Sequence, residues 1–148
     1  MSNRPTLSPS LSASLKWLGR LLIGIGLVWA VKIGLDWFNA GDAWWRFGGI
    51  LPAFVYMNAG AGLLWSPNRY TWWNTVFILA FSGLLLAFYL FMHVRHPGFL
   101  IELARLPDSL FSVVSLLLLV SAFIVVALSG LRLLCNRQVK AWYCWQPY

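Results

Sequence analysis

Two histidines, His93 and His96, stand three residues apart in the segment LFMHVRHP. On a helix, an (i, i+3) spacing puts both rings on one face, where imidazole nitrogens could ligate a metal or serve as axial ligands to haem. Pro97 follows at once and ends a helix there. A cofactor site in a bundle draws its ligands from facing helices near the core, whereas these two come from one boundary. The expectation is therefore ordinary interfacial histidines, with no cofactor and no metal. Lys32 and Asp36 lie one turn apart in VKIGLDWF. At (i, i+4) they can neutralise each other. A charged group inside an apolar span suggests a solute or proton pathway, but Lys32 can extend its ammonium outward, and a structural pair near the membrane boundary is the favoured expectation. Asn58, in mid-segment, needs a partner for its amide, for which Asn74 and Ser82 are candidates. Pro52 nearby removes a backbone donor and is expected to kink its helix, so Asn58 and Pro52 complete the set of candidate pathway residues. No nucleophile beside a base, no glycine-rich phosphate loop and no carboxylate pair in a core position occurs in the sequence, so no catalytic residue is expected.

The elements that must hold these residues are set by hydropathy. Of 148 residues, 60% are hydrophobic and only 10% charged, with a mean hydropathy of +0.72. A soluble domain carries about 25% charged residues because its surface must be wet; a chain this poor in charge faces lipid. Residues 110–131 run without a charge, a proline or an amide. At ~1.5 Å per residue, Leu110–Leu134 is long enough to cross a hydrocarbon core of roughly 30 Å. Further spans are expected at about 17–38, 47–65 and 72–93. The first resembles a signal peptide at its start, but its pattern continues through Lys32 to Phe38, which favours an uncleaved span. Between spans three and four, Phe99, Leu103 and Leu106 recur at helical spacing, which predicts a short surface-lying helix at about 98–106. Residues 1–14, rich in Ser and Pro, read as a flexible tail, and 135–148 as an aromatic and basic one. The fold expected is an all-α, polytopic membrane protein, one bundle of four transmembrane helices occupying 15–134.

Charge and tryptophan placement give this bundle a direction. With both termini in the cytoplasm, the inner side holds Arg4, Lys16, Arg20, Arg69, Arg132, Arg137 and Lys140, all basic, with no acidic residue. The outer side holds Lys32, Arg46, Arg95 and Arg105 against Asp36, Asp42, Glu102 and Asp108, a net of zero. Short loops rich in Lys and Arg stay on the cytoplasmic side, so the expectation is N-in, C-in, in the inner (cytoplasmic) membrane. Trp37, Trp44 and Trp45 fall at the outer boundary, and Trp17, Trp65, Trp72, Trp73, Trp142 and Trp145 at the inner one, where indole prefers to sit. The net charge of +7 is accounted for by this asymmetry. Without a basic run, nucleic acid is not an expected partner. Cys135 and Cys144 fit no metal or redox spacing and are expected as unpaired thiols in a reducing compartment.

Small residues recur on helical stripes: Gly26, Ala30 and Gly34 on the first span, Gly49 and Ala53 with Asn58, Gly62 and Ser66 on the second, Gly83 and Ala87 on the third. Lipid is as apolar as Leu, so helices associate in a membrane by close backbone approach along such stripes. They are expected to pack helices within the chain or to receive a partner helix. Small multidrug exporters carry a glutamate in their first span, and mercury carriers a cysteine pair; Leu21–Val31 holds neither. The segment GRLLIGIGLVWAVK is loosely similar to the opening of DoxX-like proteins, a likeness that stops there, and no family is assigned. The expected function is a non-catalytic accessory, assembly or scaffold component of a membrane complex, its partners the lipid bilayer and other membrane helices, as a homo-oligomer or in a larger assembly. A small oligomeric transporter or channel is the alternative, and a haem-associated redox subunit the third.

Overall fold

The computed structural model describes residues 6–40, 50–96 and 110–144, and every regular element among them is a helix. These are α1 (Pro9–Ala40), α2 (Ile50–Trp65), α3 (Arg69–Arg95), α4 (Leu110–Leu134) and α5 (Arg137–Cys144). Three segments, Pro9–Leu35, Arg69–Arg95 and Val113–Leu134, are long and apolar enough to cross a membrane. Helix α2 has 16 residues, about 24 Å at ~1.5 Å per residue, which falls short of a ~30 Å hydrocarbon core. The surface helix expected at 98–106 lies outside the described residues, as do Gly49 and Trp145.

Local chemistry sets the helix starts. Helix α1 begins at Pro9, inside the stretch that reads as a tail. The Ser8 hydroxyl accepts a 3.4 Å bond from the Leu11 N–H, and the Ser8 carbonyl takes the first helical bond, from Ser12 N at 3.0 Å. Ser at the cap followed by Pro at the first helical position is a strong start: the ring fixes φ, and its absent N–H would have had no partner there. Asn68 caps α3 in the same way, its side-chain oxygen accepting from Thr71 N at 2.9 Å. Asn136 caps α5 through a 2.9 Å bond from Gln138 N. Pro52 lies near the described start of α2; the carbonyl four residues before it, on which the expected kink depends, lies outside the described residues.

The chain forms two compact units, Met1–Ile78 with Leu133–Tyr148, and Leu79–Arg132. The first is built on an antiparallel seam between α1 and α2. Gly19 faces Gly60 and Leu64, and one full heptad later Gly26 faces Ala53 and Met57. The backbones meet so closely that a Cβ at Gly60 would press on the Gly19 carbonyl oxygen and lie 2.9 Å from the Ile23 amide nitrogen. A Cβ at Gly26 would lie 2.6 Å from the Ala53 carbonyl oxygen. Leu15, Leu18, Leu22, Ala53, Ala59 and Leu63 are buried in this unit. Gly62 packs instead across the turn, where an added Cβ would come within 2.7 Å of Thr71 Cγ2. Thr75 is fully buried, and its hydroxyl donates back to the Thr71 carbonyl at 2.9 Å.

In the second unit, α3 and α4 meet through small residues. A Cβ on Gly83 would sit 3.4 Å from the Ala127 Cβ, at the near limit of ordinary van der Waals contact. Leu79, Val120 and Ala127 are buried there, whereas Ala87 is exposed.

The seam makes a sharp contrast between glycines. Gly60→Ala drives a methyl into backbone and is expected to cost about 1–3 kcal/mol by overpacking. Gly24→Ala, which meets nothing within 4 Å, is expected to be neutral or to stabilise the helix by up to about 1 kcal/mol. Thermal unfolding of the two variants in one detergent reads the difference, and equal midpoints would show that the seam is not tight.

Candidate functional site

Most of the residues singled out from the sequence lie among those described. Asn58 is exposed on α2, turned away from the buried edge that carries Ala53, Ala59, Gly60 and Leu63. It makes no hydrogen bond to any described residue, and Asn74 is likewise exposed on α3. Lys32 is exposed near the end of α1; the Asp36 side chain lies outside the described residues, so the pair itself is not visible. Gly26 sits in the α1–α2 seam, Ala30 is half-buried, and Gly34 is exposed with nothing within 4 Å. The seam therefore runs Gly19–Gly26, about two turns toward the N-terminus from the stripe read from the sequence. His93 and His96 end α3: the His96 N–H donates to the Met92 carbonyl at 2.8 Å, which carries the helical path through both. His93 is half-buried, and its Nδ1 has no hydrogen-bond partner among the described residues; His96 is exposed. Arg95 lies 5.7 Å from the centre of the Phe91 ring. No group of three or more His, Cys, Asp or Glu side chains converges among the described residues.

A polar construction among the described residues lies elsewhere, at the end of the first unit where α2 stops, α3 starts and α4 hands over to α5. The last carbonyls of a helix have no partner in their own helix. Two of them are met by aromatic donors from distant sequence. The Trp72 indole N–H donates to the Leu134 carbonyl at 2.9 Å, across 62 residues. The Tyr143 hydroxyl donates to the Leu63 carbonyl at 3.2 Å, across 80 residues. Both rings are almost fully buried, as are Leu134 and Val139. Lys140 completes the arrangement, its ammonium 5.6 Å from the centre of the Trp72 ring, within the range of cation–π attraction. Trp73 stands edge-on to Trp72 with centroids 4.7 Å apart, and Trp142 edge-on to Tyr143 at 4.9 Å.

Reading 135–148 as a tail thus missed a folded element. The signal was present: Val139 and Tyr143 at (i, i+4) give one apolar stripe, Arg137 and Lys140 lie off it, and Asn136 stands at the cap position. Eight residues are too few for a helix stable on its own. Only the docking of Val139 and Tyr143 makes the segment worth ordering, and a docking partner is not written in the segment itself. Cys135 is exposed and Cys144 half-buried, and both are free thiols.

Compared with protein-family models, with curated proteins and with solved structures, the chain matches none.

The clasp has a direct check. Tyr143→Phe keeps its ring and Trp72→Phe keeps a smaller aromatic one; together they strand the two carbonyls, each costing about 1–3 kcal/mol when buried and unpaired. Limited trypsin digestion should then cut at Arg137 and Lys140 markedly faster than in the unaltered protein, while cleavage elsewhere is unchanged. Equal rates would mean that the hydrogen bonds do not hold α5.

Proposed function

We propose that this chain is a non-catalytic integral component of a membrane assembly, a subunit whose work is to associate with other membrane helices. The observation that carries this reading is Asn58: a carboxamide exposed on the free face of α2, without a hydrogen-bond partner among the described residues. An amide facing hydrocarbon is costly, and its usual resolution in a membrane is a hydrogen bond across a helix–helix contact. The apolar faces around it support the same reading. Only 17–22% of the most apolar window of each long helix is buried within the chain, so each offers a broad face for lipid or for a neighbour. In this reading α2, lengthened through residues 47–49, is a fourth span, and the chain sits N-in, C-in in the inner membrane. The charge asymmetry supports that orientation: Lys16, Arg20, Arg69, Arg132, Arg137 and Lys140 are exposed at the end where both termini would lie. An oligomeric transporter is the second reading, favoured by the same amide, because an exposed Asn58 can line a path between copies with Lys32 and Asp36 at its outer end. The third, a haem-associated subunit using His93 and His96, rests only on their spacing.

Purified in mild detergent, the protein is expected to carry a partner, either a second copy or another membrane protein, at fixed stoichiometry. Asn58→Leu should weaken that association about 3- to 20-fold, the range of measured interhelical hydrogen bonds, without lowering thermal stability. Purification as a lone monomer sinks the reading. Orientation is read separately with Cys135, which is exposed: in a Cys144→Ser background, a membrane-impermeant maleimide should label intact cells only after permeabilisation. Labelling before permeabilisation reverses the topology.

A further inference from the structure

The α5 clasp gathers cations as well as hydrogen bonds. Arg69 opens α3 one turn before Trp72, on the same helical row. Lys140 lies over the Trp72 ring, and Arg137 is one turn before Lys140 on α5. Docking α5 through Tyr143 and Leu134 therefore brings three cationic side chains from two elements onto adjoining turns, all three exposed. The four acidic residues of the chain are Asp36, Asp42, Glu102 and Asp108, and none belongs to the segments that build this end. Among the described residues no carboxylate neutralises these cations, which leaves them free to take up an anion from outside.

The surface below them says which kind of anion. Down α3 from Arg69 run Tyr70, Trp73 and Phe77, exposed by 85%, 53% and 67%. Cations, then aromatic rings with polar edges, then a purely hydrocarbon ring follow the order of a phospholipid: phosphate, glycerol and carbonyl region, acyl chain. An acidic soluble peptide would match the cations but leave the aromatic and apolar strip wet. We infer that Arg69, Arg137 and Lys140 form a headgroup site for an anionic phospholipid, whose acyl chain lies along Tyr70, Trp73 and Phe77. The site exists only when α5 is docked, since α5 supplies two of its three cations.

The test uses the full chain in mild detergent, incubated with equal amounts of phosphatidylglycerol and phosphatidylcholine, with retained lipid counted by native mass spectrometry. Phosphatidylglycerol is expected to be retained well in excess. Each cation removed should lower that excess about fivefold, from the contribution of a single Lys or Arg near an anionic surface. Thus Arg69→Gln/Arg137→Gln/Lys140→Gln abolishes the preference, and Lys140→Gln alone, the milder change should the triple variant misfold, reduces it about fivefold. Lys32→Gln/Arg95→Gln, which alters cations outside this site, should keep it. Inorganic phosphate at millimolar concentration should not displace the lipid, because it lacks the acyl chain. Equal retention of the two lipids, an unchanged preference in Lys140→Gln, loss of the preference in Lys32→Gln/Arg95→Gln, or displacement by phosphate overturns the assignment.

Discussion

A helix leaves its last carbonyls without partners, and in an apolar setting water is not there to take them up. This constraint organises the better-packed half of the molecule. The carbonyls of Leu63 and Leu134 end two different helices, and each is met by an aromatic donor from a remote part of the chain. Trp72 and Tyr143 suit the task because each has a large apolar body and a single polar tip: the ring fills space between helices and the tip satisfies an oxygen. Ser66 shows the same economy on a smaller scale, its carbonyl taken by the Thr71 hydroxyl at 2.9 Å across the turn between α2 and α3.

The second organising element is steric. At the α1–α2 seam there is no layer of side chains between the backbones at Gly19, Gly26 and Gly60. In water such contact would sacrifice hydrophobic burial. In a membrane, where lipid solvates Leu as well as another Leu does, backbone proximity and dispersion are what remain to hold helices together. The seam and the clasp are therefore complementary: one uses the absence of side chains, the other uses the largest ones.

How much of this was legible beforehand depends on the range of the interaction. Long helices were written in hydropathy: α4 carries an apolar segment, Val113–Leu134, long enough to cross a membrane. Close packing through glycine was legible as a tendency, but its register was not. Gly26 and Gly34 belong to the same small-residue stripe, and only the position of Ala53 and Met57 on another helix decides that the first is covered and the second bare. The start of α1 could have been read from Ser8-Pro9, a local signature outweighed by an apparent tail composition. Helix α5 was hardest, because its order rests on contacts with residues 63, 72 and 134 rather than on its own eight residues. For the candidate site the limit is of another kind. The sequence singles out Asn58, but whether its amide is used inside the chain or offered outside depends on which face α2 turns toward α1.

The separations spanned by the clasp also set an order of events. The α1–α2 seam can close as soon as the second helix has been made, since both partners lie within the first 65 residues. The Leu63 carbonyl must wait for a donor 80 residues downstream, some 4–16 s later at ordinary rates of chain synthesis. Until Tyr143 is made, the glycine seam stands closed beside an open helix end. The two devices that hold this unit together therefore form at different times, the steric one first and the hydrogen-bonded one after it.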